Sequence, residues 1–108
     1  MAEKIDMIRE IHENVARFVE SLREHQIRVW RMYLFGSYAK GTFDTDSDID
    51  LAVFLDQDDI DGFDENVVLM KIRRGIDLRI EPHAFARTDF DESVPLINEI
   101  IRTGERII

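Results

Sequence analysis

Cysteine is absent from these 108 residues, which excludes disulfides, thiolate zinc sites and cysteine nucleophiles together. Proline and glycine are scarce, two and five, and neither a linker, a repeat nor a low-complexity segment interrupts the chain. One domain spanning residues 1–108 is expected, long enough to bury about two-thirds of its unfolded surface and too short for a second functional module. Basic charge is in deficit, 14 Lys and Arg against 23 Asp and Glu, for a formal charge of −9. That balance disfavours nucleic acid gripped through its phosphates and suits a basic partner better. No apolar run approaches the ~18 residues of a membrane span, and the opening Met-Ala-Glu-Lys-Ile-Asp has no signal-peptide core. Location in the cytoplasm is the expectation.

What is present reads as globular, 44% hydrophobic and 34% charged. Ile5, Ile8, Ile11, Val15, Phe18, Val19 and Leu22 recur at three- and four-residue steps, predicting an amphipathic helix over residues 3–25. His12 and His25 fall on its polar side or end and read as solvated. Residues 27–35 suit a strand with Arg28 and Arg31 solvated and Trp30 and Tyr33 packing. A helix is expected over 63–74, ended by Gly75, with Met70 as packing. Strict alternation over 75–82 predicts a strand with Ile76, Leu78 and Ile80 on one face and Asp77, Arg79 and Glu81 on the other. A loop from Pro82 to about Asp91 carries little information, His83 included. A last helix over 91–103 ends at Gly104, and Ile107 and Ile108 need cover from a core strand or a dimer contact.

The informative stretch is residues 34–54. It reads as a strand, a Gly36-Ser37 turn into a helix start, a polar loop, and a second strand opening on Asp48 and Asp50. Alternate side chains of an extended segment share a face, so the two carboxylates point together while Ile49 and Leu51 point away. Free N–H groups and a hydroxyl at Gly36 and Ser37 suit a phosphate, and an anion cradle beside paired carboxylates suits a metal–triphosphate. Asp44, Asp46, Asp48 and Asp50 alternate like the opening of an EF-hand loop, but Ile49 replaces its glycine and Leu55 its terminal glutamate.

Gly36-Ser37, ten intervening residues and Asp48-Ile49-Asp50 after an apolar strand resemble the signature of the polymerase-beta-like nucleotidyltransferase superfamily. The Tyr38-Ala39-Lys40-Gly41 run and Ser47 are similar to its minimal members, often encoded beside HEPN-domain toxins. The resemblance implies an α/β domain with a small mixed sheet backed by helices. It implies Mg²⁺, as two ions, on Asp48 and Asp50, with a third carboxylate at Asp77 on a neighbouring strand that also helps activate the acceptor hydroxyl. Glu81 shares that face roughly 13 Å further along and is the other candidate. Gly36 and Ser37 would hold the triphosphate. Lys40 stands where the family carries arginine and is either a point charge for the phosphates or a solvated lysine. The implied activity is transfer of AMP from ATP to a hydroxyl, that of a tyrosine on a partner HEPN toxin, with the chain acting as antitoxin in a homodimer or hetero-oligomer. A non-catalytic antitoxin and an aminoglycoside-type transferase are the alternatives.

Overall fold

The computed structural model describes residues 2–108. Four helices and four strands alternate along the chain: α1 (Ala2–Glu24), β1 (Val29–Phe35), α2 (Ser37–Lys40), β2 (Ile49–Leu55), α3 (Gly62–Arg73), β3 (Ile80–Ala86), α4 (Pro95–Thr103) and β4 (Glu105–Arg106), with a 3₁₀ turn at Arg87–Asp89. The strands form one mixed sheet in the order β3-β2-β1-β4. β1 runs antiparallel to β2 and β4, and β2 runs parallel to β3.

The strand period of two divides the core. Ile49, Leu51, Val53 and Leu55 of β2 join Ile11, Val15, Phe18 and Leu22 of α1 and Leu69 of α3 on one face. Ala52 and Phe54 join Tyr33 of β1 and Ile97 and Ile100 of α4 on the other. The four buried α1 residues recur at steps of three and four, which is why a 23-residue helix lies flat on the sheet. Asp50 is the one polar side chain of β2, a strand paired on both sides.

The C-terminal segment is covered from within the chain: β4 pairs with β1, and Ile107 and Ile108 exchange backbone bonds with Met32 and pack against the first core cluster.

The third long strand differs from expectation. Residues 74–79 form turns, and the strand begins at Ile80 and runs through Pro82 and His83 to Ala86. An edge strand tolerates a proline because every second N–H faces away from its neighbour. At these positions Ile80 donates to Asp77 O at 3.1 Å, Pro82 has no N–H, Ala84 donates to Asn66 Oδ1 at 2.7 Å, and Ala86 donates to Asp89 Oδ2 at 2.8 Å. The exposed edge is thereby closed to further strand pairing.

α1 ends in a Schellman turn: the Ile27 N–H reaches Leu22 O and the Gln26 N–H reaches Arg23 O, both at 2.9 Å. Gln26 holds φ 60° there, a left-handed position that favours glycine. Gln26→Gly is therefore expected to stabilise the fold by about 0.5–1 kcal/mol, read as a raised urea midpoint at unchanged m-value.

Candidate active site

Asp50 is positioned by pairing on both sides, opposite Phe35 of β1 and Glu81 of β3. In that register Asp50 and Glu81 emerge on one face, followed one strand step along by Ala52 and His83. The imidazole Nε2 of His83 stands 3.4 Å from Asp50 Oδ1. One ligand atom each from Asp50, Glu81 and His83 all fall within 4.8 Å of one another.

Asp48 comes up beside Glu81 from the loop, outside that three-residue group. The turn before it is fixed locally: Ser47 Oγ accepts from the Asp44 N–H at 2.9 Å, and Asp44 Oδ1 accepts from the Asp46 N–H at 2.8 Å. Tyr38 and Phe43 stack at 4.5 Å between centroids, and the Tyr38 hydroxyl donates to Asp44 O at 3.2 Å. Asp44 is thus occupied with turn bonds, while Asp48 is exposed. The Glu81 carboxyl is held above the usual carboxylate range, first by its hydrogen bond with Asp48, then by burial and by the charges of Asp48 and Asp50.

Gly36 completes the arrangement. It ends β1 at φ 75° and ψ −148°, and a Cβ there would overlap the Asp50 carboxylate. Only glycine lets the backbone come this close at this conformation. Gly36 itself is the N-cap of α2, and Ser37 is the first helical residue rather than the cap. Lys40 is turned to α4, donating to Glu99 Oε1 at 3.0 Å.

Asp77 lies elsewhere, in the turn between α3 and β3. Its Oδ1 accepts from the Arg79 backbone N–H at 2.9 Å and Nε at 3.0 Å, and its Oδ2 accepts from Arg79 Nη2 at 2.7 Å and Asn14 Nδ2 at 2.9 Å. The Asp77 side chain is 8% exposed. Burial pushes its carboxyl up, but the Arg79 and Asn14 hydrogen bonds outweigh it and hold it below the usual value. Asp77 therefore ties the turn to α1, and the carboxylate that β3 brings to Asp50 is Glu81. The alternation that suggested Asp77 belongs to a turn; the strand signal was Ile80 onward, masked by Pro82. His83 arrives with it by the same two-residue step.

The donor set fits a divalent cation. Asp48, Asp50 and Glu81 place like charges together with no lysine or arginine bonded to any of them among the described residues, so a cation would relieve their repulsion.

The family described as "nucleotidyltransferase domain" matches residues 15–102, a span that includes every residue of this cluster. The chain belongs to that family. As a nucleotidyltransferase domain it shares its fold with a chain of a mutant toxin-antitoxin complex MntA-HpeT, at 24% identity and TM-score 0.59, covering 86% of this chain and 70% of that one. A candidate nucleotidyltransferase from Sulfolobus solfataricus superposes at TM-score 0.55 with 22% identity, covering 82% and 75%. No curated relative matches the chain. Among the described residues no helix is long and apolar enough to cross a membrane.

Asp77 and Glu81 separate by stability. Asp77→Asn leaves Arg79 with only the longer Glu10 contact, at 3.4 Å, as a charged partner and is expected to cost about 1–3 kcal/mol. With its folded value depressed, Asp77 contributes fully above its unfolded 3.8 and loses that contribution as pH falls through the lower folded value. Wild type should therefore lose stability on acidification below pH 3.8 more steeply than the variant. Glu81→Gln, which removes one of three like charges, should match or exceed wild-type stability in chelator. Thermal melts across pH check both.

Proposed function

We propose that the chain is a Mg²⁺-dependent nucleotidyltransferase that moves AMP from ATP onto a hydroxyl of a partner protein, a HEPN-type toxin that it neutralises as antitoxin. The observation that carries this reading is the pairing of Asp50 with Glu81 beside a glycine that no other residue could replace. Asp48, Asp50 and Glu81 hold the metal, with Glu81 in the place the sequence suggested for Asp77. The metal, when bound, neutralises charge on the triphosphate and the departing pyrophosphate.

The chain's own residues do the rest. Gly36 opens the approach to Asp50, and the N–H and hydroxyl of Ser37, at the first turn of α2, hold the triphosphate. The acceptor hydroxyl passes its proton to the Glu81 carboxylate, and from there to solvent, as its oxygen bonds to the α-phosphorus. The bond from that phosphorus to the bridging oxygen breaks, and pyrophosphate departs. Glu81 orients the acceptor from the β3 side. Lys40 is held by Glu99 and is not assigned to the phosphates.

The acceptor reading has two supports. A formal charge of −9 suits a basic protein partner, and one structural neighbour comes from a toxin-antitoxin pair. The same charge favours a second reading, a non-catalytic antitoxin that binds without modifying.

The test is to incubate the purified chain with Mg²⁺, each α-labelled nucleoside triphosphate in turn and the product of the neighbouring gene, and to locate label by mass spectrometry. ATP should label a partner hydroxyl, and Asp50→Asn and Glu81→Gln should each cost roughly 10²-fold or more in rate. Asp77→Asn should retain activity within about threefold where it is folded, since it acts on stability. No label from any triphosphate, with an Asp48→Asn/Asp50→Asn variant neutralising as well as wild type, would establish the binding reading instead.

A further inference from the structure

His83 sits among the site residues without a part in the chemistry just described. It shares a sheet face with Asp50 and Glu81, one strand step beyond Glu81. Its ring packs on Phe35, centroid to centroid 5.3 Å, which aims the imidazole along the sheet toward Asp50. Nε2 is 3.4 Å from Asp50 Oδ1, longer than the ~2.7–3.2 Å of a well-formed N–H···O bond. Two ligands of one octahedral ion with bonds of about 2.1 Å stand roughly 3.0 Å apart when adjacent and roughly 4.2 Å when opposite. The observed separation falls between these limits. The Glu81 carboxylate joins the same 4.8 Å group.

A nitrogen in that position changes which ion is favoured. Mg²⁺ takes oxygen ligands almost exclusively, whereas imidazole suits the later first-row ions, whose affinity for nitrogen donors rises from manganese through cobalt and nickel. We propose that His83 is a nitrogen ligand to the cation held by Asp50 and Glu81, and that it gives this site a preference for a transition-metal ion over Mg²⁺. The proposal rests on the carboxylate site assigned above and adds to it the choice of metal.

Co²⁺ serves as the probe and Mg²⁺ as the comparison, each titrated calorimetrically into the full chain freed of metal by chelation. Proton NMR of the Co²⁺ form, with ¹⁵N-labelled histidine, reports directly whether an imidazole is bound to the paramagnetic ion. The wild-type chain should bind Co²⁺ about tenfold or more tightly than Mg²⁺ and show one strongly shifted imidazole N–H, retained in His12→Gln and His25→Gln. His83→Phe keeps a ring against Phe35 and removes the nitrogen. It should lower Co²⁺ affinity about tenfold or more, leave Mg²⁺ affinity within about twofold, and erase the shifted resonance.

Co²⁺ bound by wild type with no shifted imidazole, or with affinity unchanged in His83→Phe, would overturn the nitrogen ligand while leaving the carboxylate site standing. Wild type binding neither ion, or Asp50→Asn binding both as tightly as wild type, would remove the carboxylate site and this inference with it. The wild-type spectrum decides the ligand even should His83→Phe fold poorly.

Discussion

One carboxylate on a strand paired on both sides governs the rest of this structure. Asp50 is the sole polar residue of β2, and its neighbours in the sheet are an aromatic ring and a second carboxylate. A fold that needed only stability would place an apolar or unopposed residue there, since like charges brought together destabilise. The surrounding strand supports the arrangement at the expense of its own comfort: Ile49, Leu51, Ala52, Val53, Phe54 and Leu55 are all buried and hold Asp50 in register. Gly36 accepts a left-handed conformation so that its backbone can lie against the Asp50 carboxylate. Local rules broken at one point within an otherwise consistent fold mark a functional site.

The parts that aim the cluster are separate from the parts that form it. Asp44 and Ser47 bond one another and their own backbone, and the Tyr38–Phe43 stack anchors the loop, so the turn that leads into Asp48 is fixed locally. On the β3 side, Asp77, Arg79 and Asn14 tie the preceding turn to α1, with Glu10 on the outer edge of the network. Arg73 adds hydrogen bonds to Leu78 O and Ile80 O, setting where β3 begins. The starting point of β3 decides whether Glu81 meets Asp50. A one-residue slip would turn Glu81 and His83 to the opposite face.

Much of this was legible in the sequence, and the remainder failed for identifiable reasons. The Gly36-Ser37 turn and the helices expected over 3–25 and 63–74 announce themselves through short-range spacing, which the chain retains on folding, while the last helix starts at Pro95, four residues later than its spacing suggests. The carboxylate opposite Asp50 did not announce itself, because Ile76, Asp77, Leu78 and Arg79 alternate as a strand would while forming the turn before Ile80, closed by the Asp77 side chain. Pro82 signalled a strand end to local reasoning, yet an edge strand with side chains bonding its outward N–H groups accommodates it. His83 therefore reads as a loop residue, whereas it lies on β3 facing Asp50. Lys40 is claimed by Glu99, a partner 59 positions away that no local pattern could reveal.

The account stands or falls on where a divalent ion sits. Crystals grown with Mn²⁺ and a non-hydrolysable ATP analogue, measured at the manganese absorption edge, locate it by anomalous scattering. The account predicts a peak bound by Asp50 and Glu81, with Asp48 beside it and the analogue's phosphates against Gly36 and Ser37. A peak on Asp77, or ordered nucleotide with no peak between β2 and β3, would contradict it.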